Sequence, residues 1–233
     1  SRAVTDGRYL YVRHFMPQLP YFQEAIIFSE QKGGSYKEIH NLKSLEQLPE
    51  ATRAFFKAKP VEELFDLKND PLEQNNLAQD QKFETIKNEL SQKLNTHLLK
   101  YYDTGLLNEG EYMLRAEVQG LSVYESVRRY SKSDFDKILQ AAKLSGRISD
   151  SKELIPYLKS GNNAIKYWAL IAADGYNGDL EPIKSLLKEI LDDDYSVAIM
   201  AAEILVKRYD DHLALQSFEK FLKSENEPLA LQA

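Results

Sequence analysis

The chain has 233 residues, 43% apolar and 28% charged, with 36 acidic against 30 basic side chains and a formal net charge of −6. That length and balance describe one or two globular domains with a real core. No basic run suits a phosphate backbone, Arg128-Arg129 being an isolated pair, no apolar stretch is long enough to span a bilayer, and the lack of cysteine excludes disulfides, thiolate zinc sites and cysteine nucleophiles.

The N-terminus, Ser1-Arg2-Ala3-Val4, has no initiator Met and no apolar signal core, so either a leader was removed or the chain starts inside a longer gene, the second being what the resemblance described below favours. Residues 2–5 and 8–15 read as two short strands, joined at Asp6-Gly7 by a tight two-residue turn that needs positive φ. In the second strand Tyr9, Tyr11, Arg13 and Phe15 share one face, and Leu10, Val12, His14 and Met16 the other. Pro17 and Pro20 break that strand. Helical patches are expected before Gly33-Gly34 and from Ser35. A further helix begins at Pro49, carries Phe55 and Phe56, and ends at Pro60. Residues 62–67 form a third strand candidate and Asp70-Pro71 a turn. From the N-cap Asp80 a helix runs to about Tyr102, on a stripe of Phe83, Ile86, Leu90, Leu94, Leu98 and Tyr101.

Residues 104–123 read as an irregular linker. After it the pattern is wholly helical, with helices expected over 134–144 and 153–159. A shift of 32 lays Leu154 and Leu158 on Leu186 and Ile190, then on Phe218 and Leu222; it lays Ile165 and Ala169 on Val197 and Ala201, and Val197 on Leu229. Units of this size, each a helical hairpin, stack because none can bury its apolar face alone. The small residues Ala169, Ala172, Ala201 and Ala202 allow close helix approach, and Trp168 reads as core between repeats. The pattern resembles HEAT-type repeats. Asp192-Asp193-Asp194 reads as a solvated turn rather than a metal site.

One segment is more specific: Pro60-Val-Glu62-Glu63-Leu64-Phe65-Asp66-Leu67-Lys-Asn-Asp70-Pro71-Leu-Glu73-Gln-Asn-Asn76-Leu77-Ala78. Leu64 and Leu67 bury a strand, Asp70-Pro71 turns the chain, Glu73 and Asn76 can bond freed backbone groups, and Leu77 starts the next packing layer. On that reading Asp66, Asp70 and Glu73 are structural. The run resembles the C-terminal signature of the sulfatase and arylsulfatase family, "Glu-Leu-Tyr-Asp-Leu-x-x-Asp-Pro-x-Glu-x-x-Asn-Leu-Ala", with Phe65 in place of the usual Tyr. The opening strands are similar to the pair that precedes this signature, where Leu10 replaces the usual Lys and His14 the usual Asn. The stretch through Asp103 and Gly105 resembles most the heparan N-sulfatase-like branch.

The resemblance implies an α+β fold. Residues 1–115 would be a sulfatase C-terminal subdomain, a small antiparallel sheet with packed helices, and residues 124–233 an all-α domain of HEAT-like helical repeats. It further implies a parent hydrolase, acting on a sulfuric ester or sulfamate of a sulfated glycan, that is periplasmic or secreted. Calcium and a formylglycine nucleophile would belong to a preceding N-terminal catalytic domain, this chain's expected partner, because no Cys/Ser-x-Pro-x-Arg motif occurs here. No catalytic residue, metal ligand or cofactor is therefore expected in this chain. If its cap borders the substrate cleft, Arg13 or His14 would contact an anionic sugar. The four histidines, His14, His40, His97 and His212, have no metal-ligand spacing. The alternative is a helical-repeat scaffold whose partner is another protein, without enzymatic role; neither reading involves nucleic acid or a membrane span.

Overall fold

A computed structural model describes residues 1–22, 45–193 and 195–222. The chain divides into two compact units. One comprises Ser1–Met16 and everything from Val61 on, and the other is Pro17–Pro60. In the second unit, Pro49 caps a single helical turn, α1 (Glu50–Arg53), which passes into a 3-10 turn at Ala54–Phe56. Phe22 stacks on Phe56 at 4.7 Å, its N–H donates to Phe55 O at 2.9 Å, and the Lys59 N–H donates to Pro17 O at 2.7 Å. The patches expected around Gly33-Gly34 and Ser35 lie outside the described residues, as do His40, Asp194 and Leu229.

The larger unit opens on an antiparallel sheet of β1 (Arg2–Thr5), β2 (Tyr9–Arg13) and β3 (Glu62–Asp66), in that spatial order. Tyr11 lies opposite Val4 on one side and Leu64 on the other. Strand β2 alternates as the sequence predicts: Tyr9, Tyr11 and Arg13 are buried, while Leu10 and Val12 are half-buried. The hairpin turn sits one residue later than expected. Gly7 takes the positive φ of 97°, and Gly7 and Arg8 are the turn's central residues, because the Asp6 carboxylate accepts the N–H groups of Arg8 and Tyr9 at 2.9 and 2.8 Å.

Beyond β3 the chain turns as its acids dictate. The Asp70 carboxylate accepts from the N–H groups of Gln74 and Asn75 at 3.1 and 2.7 Å. Glu73, expected to bond backbone, is exposed and instead carries a positive φ of 55°. Asn76 lies alongside the free edge of β3. Its side chain accepts from Leu64 N–H at 3.0 Å and donates to Glu62 O at 3.1 Å, and Leu77 N–H then bonds Leu64 O at 2.8 Å. One amide side chain thus stands in for a fourth strand and covers an edge that would otherwise be open.

Asp80 caps a 3-10 turn that leads into α2 (Glu84–Tyr101), which packs across β1 and β2 through Leu90, Leu94 and Leu98. Tyr101 departs from the predicted stripe, with 49% of its surface exposed. Residues 104–123 are also not the irregular linker expected. They hold α3 (Glu109–Gln119), N-capped by Asn108 and stopped by Gly120 at a φ of 61°, and α4 (Val123–Val127) begins in the same stretch behind a Ser122–Glu125 capping box.

The remaining elements are α5 (Lys132–Ala142), α6 (Ile155–Leu158), α7 (Asn163–Asp174), α8 (Lys184–Ile190), α9 (Tyr195–Tyr209) and α10 (His212–Leu222). Helices α5, α7 and α9 pack in series; α6 backs α7, and α8 and α10 back α9. Ala141, Ala142, Ala169, Ala172, Ala201 and Ala202 are fully buried, which permits the close approach. The 32-residue shift relates α7 to α9. The backing helices follow a shorter one, since Leu154 and Leu158 correspond in burial to Ile183 and Leu187, while Leu222 is 59% exposed. One hydrophobic core runs unbroken from Tyr9 on the sheet to Ala214 in α10. Among the described residues the fold is α+β, helices on a three-stranded antiparallel sheet.

Candidate functional site

The polar residues worth examining converge where β2 ends. Strand alternation sends Arg13 inward, beneath the end of α5. The residue is 3% exposed; its Nη1 donates to Val61 O at 3.0 Å, and Nη2 to Lys143 O at 2.9 Å and Ser145 O at 3.2 Å. Lys143 is the C-cap of α5, so a cation sits on the negative end of that helix and satisfies carbonyls that lack partners of their own. The Nε of Arg13 meets no acceptor, and the group lies 5.5 Å from the centre of the Phe15 ring. Burial, then the nearby charge of Arg147, draws the Arg13 guanidinium down to about 10.

Beside it, Tyr11 donates its hydroxyl to Glu62 Oε1 at 2.5 Å and lies 3.2 Å from Ser91 Oγ, while Arg147 Nη2 pairs with Glu62 Oε2 at 2.6 Å. Burial, then the bond to Glu62, pushes the Tyr11 phenol up to about 12. Burial alone would raise the Glu62 carboxyl. The Tyr11 hydroxyl and Arg147 outweigh it and hold the group below its ordinary value. The sequence reading missed Tyr11, Glu62 and Arg147 as a group. Strand register alone could have paired Tyr11 with the third strand, but nothing local announces Arg147.

His14 turns to the opposite face and is 2% exposed. Its Nε2 donates to Glu63 Oε2 at 2.7 Å, and its Nδ1 lies 2.6 Å from Ser1 Oγ. The two residues expected to meet a sugar are therefore not brought together, and neither side chain reaches solvent in this chain. Asp66, read as structural, binds Arg8 at 2.8 Å and Asn69 Nδ2 at 2.8 Å.

Chemically this cluster holds layers together. Two hydroxyls do face a base, Ser1 Oγ at His14 Nδ1 and Tyr11 at Glu62 Oε1, and in both pairs the base is buried or half-buried within the packed layers. Among the described residues no group of three or more His, Asp and Glu could hold a metal ion, and no helix is long and apolar enough to cross a membrane. Surface hollows are present among the described residues. One, of about 400 Å³, is bordered by Arg115, Gln119, Tyr130 and Asn162; another, of about 460 Å³, follows the outer side of α2.

Over 111 residues, 47% of this chain, the sequence is 34% identical to the ulvan-active sulfatase of Formosa agariphila. That stretch is 18% of the relative, so the chain spans less than a fifth of the length of the curated protein it matches. No family model matches the chain, and no solved structure does. The relation to a sulfatase is thus distant and partial.

Proposed function

We propose that this chain is a non-catalytic C-terminal part of a sulfatase-type hydrolase, completing the enzyme's fold and bordering its cleft. In this reading residues 1–115 are the sulfatase subdomain and 124–233 a HEAT-like array. The parent cleaves a sulfuric ester or sulfamate of a sulfated glycan, outside the cytoplasm. Calcium and formylglycine belong to the preceding catalytic domain, which is this chain's partner. The observation that carries the reading is the 34% identity to a sulfatase. The folded run from Glu62 to Ala78 agrees with it, since Asp70 and Asn76 bond backbone groups and Asp66 bonds Arg8 and Asn69. Arg13 enters the proposal as a positioning residue that holds the sheet on the helices. A sugar contact by Arg13 or His14 would first require uncovering side chains at most 3% exposed.

The serial packing of α5, α7 and α9 favours a second reading, a scaffold for a protein partner without enzymatic role. One test separates the two. The reading frame upstream of Ser1 should encode a Cys/Ser-x-Pro-x-Arg motif, and its full product should release sulfate from sulfated oligosaccharides while this chain alone releases none. An upstream frame without the motif, or a full product that releases no sulfate, overturns the enzyme reading in favour of the scaffold.

A further inference from the structure

The outer side of α2 carries Lys93, His97 and Lys100 at i, i+4 and i+7, which sets them in one row. Lys93 to Lys100 covers about 10 Å along the helix axis. None of the three has an ion-pair partner among the described residues. The acids whose fields reach the row are engaged elsewhere: Asp6 by the N–H groups of Arg8 and Tyr9, and Asp103 by Arg2. Glu89 also borders the hollow. The row ends on Tyr101, whose ring lies 4.5 Å from His97 and 5.1 Å from Lys100 Nζ and still leaves 49% of the residue exposed. Two lysines without ion-pair partners and a histidine beside a half-exposed aromatic ring, lining a hollow of about 460 Å³, run against the chain's net charge of −6.

We infer that this row binds a linear anionic polysaccharide, with a sugar ring against Tyr101 and acidic groups on the chain reaching Lys93 and Lys100. An aromatic side chain offers an apolar face to the ring's C–H groups and a polar rim to its hydroxyls. Charge density decides between polyanions. A nucleic-acid strand carries one phosphate per roughly 3.4 Å, too dense for two lysines about 10 Å apart on an acidic protein, whereas a sparsely charged polysaccharide matches that spacing. Only the choice of a saccharide rests on the sulfatase reading.

The test is affinity electrophoresis of the full chain in gels containing hyaluronan, a linear polysaccharide with a single carboxylate per disaccharide, with neutral dextran as reference. Hyaluronan should retard the chain and neutral dextran should not. Lys93→Ser with Lys100→Ser should weaken binding about tenfold, and Tyr101→Ala about threefold. The pair Lys152→Ser with Lys159→Ser, exposed residues elsewhere with the same change of charge, should leave binding as it was. Absence of retardation overturns the inference, as does equal weakening by both lysine pairs. Binding unmoved by Tyr101→Ala removes the ring contact, and tighter binding of single-stranded poly(dT) through the same lysines reassigns the face to nucleic acid. The sulfatase reading is judged separately by sulfate release from the full product, so either can fail without the other.

Discussion

The indole N–H of Trp168 donates to the carbonyl of Leu106 at 2.7 Å, in a buried position 62 residues apart in sequence. The same ring lies 5.9 Å from Phe15, just beyond β2. A residue expected to serve only contacts between repeats therefore also fastens α7 to the turn after α2. Trp168→Phe should cost about 1–2 kcal/mol, chiefly because Leu106 O is left buried without its donor. Urea unfolding followed by helical ellipticity measures this. A loss below a few tenths of a kcal/mol would show that another donor replaces the indole.

Trp168 is the only tryptophan, so its fluorescence reports this junction directly. With one core running from Tyr9 to Ala214, the fluorescence and helical ellipticity of the wild-type chain should trace one coincident unfolding transition. Two separated transitions would mean that the sheet and the helical series unfold independently.

Arg13 is the second fastening between sheet and helices. Arg13→Met keeps a long apolar stem but strands the carbonyls of Val61, Lys143 and Ser145, and should cost about 3 kcal/mol. Arg13→Lys should recover only part of the loss, because an ammonium cannot reproduce the planar fork that serves three carbonyls from two nitrogens. Full stability in Arg13→Lys would reduce the guanidinium to a mere charge.

These fastenings explain what the sequence could and could not reveal. Local alternation placed Tyr9, Tyr11 and Arg13 on one face, and a period near 3.6 placed Leu90, Leu94 and Leu98, because each pattern is written within a few residues. Helix α3 escaped notice because Met113 and Val118 are 43% and 79% exposed, which blurs its apolar stripe. Its ends were legible all the same, in the Asn108 cap and in Gly120. The 32-residue shift survived in α7 and α9, where small residues fix the packing, and failed in the backing helices, whose connecting loops differ in length. The Arg13 cluster was out of reach because its acceptors at Lys143 and Ser145 lie 130 and 132 residues away.

Asn76 tests the edge-covering role of the sulfatase-like run. Asn76→Ala removes an acceptor for the N–H groups of Leu64 and Ala78 and a donor to Glu62 O, at a solvent-accessible edge, and should cost about 1 kcal/mol. With the edge of β3 uncovered, the variant should also self-associate more readily in sizing experiments. An Asn76→Ala chain as stable and as monodisperse as wild type would leave the edge protected by the Leu77 backbone alone.

Asp66 sets the response to acid. Its hydrogen bond and ion pair with Arg8, joined by Asn69 and the Lys68 N–H, hold its carboxyl down at about 2, against an ordinary value of 3.8. A carboxyl depressed on folding binds its proton more readily in the unfolded chain. Its contribution is therefore complete above the unfolded value and fades as pH falls from about 4 to about 2. Asp66→Asn cannot release a proton, so the variant should be less stable than wild type at neutral pH, and the gap should close across that window. Arg8→Gln should reproduce most of the effect, since Arg8 is the largest cause of the depression. The check is a series of urea midpoints from neutral pH down to the acid limit of folding. A wild-type-to-variant difference that stays constant through the window would show that Asp66 is held by packing and its backbone bonds, and that its charge contributes nothing.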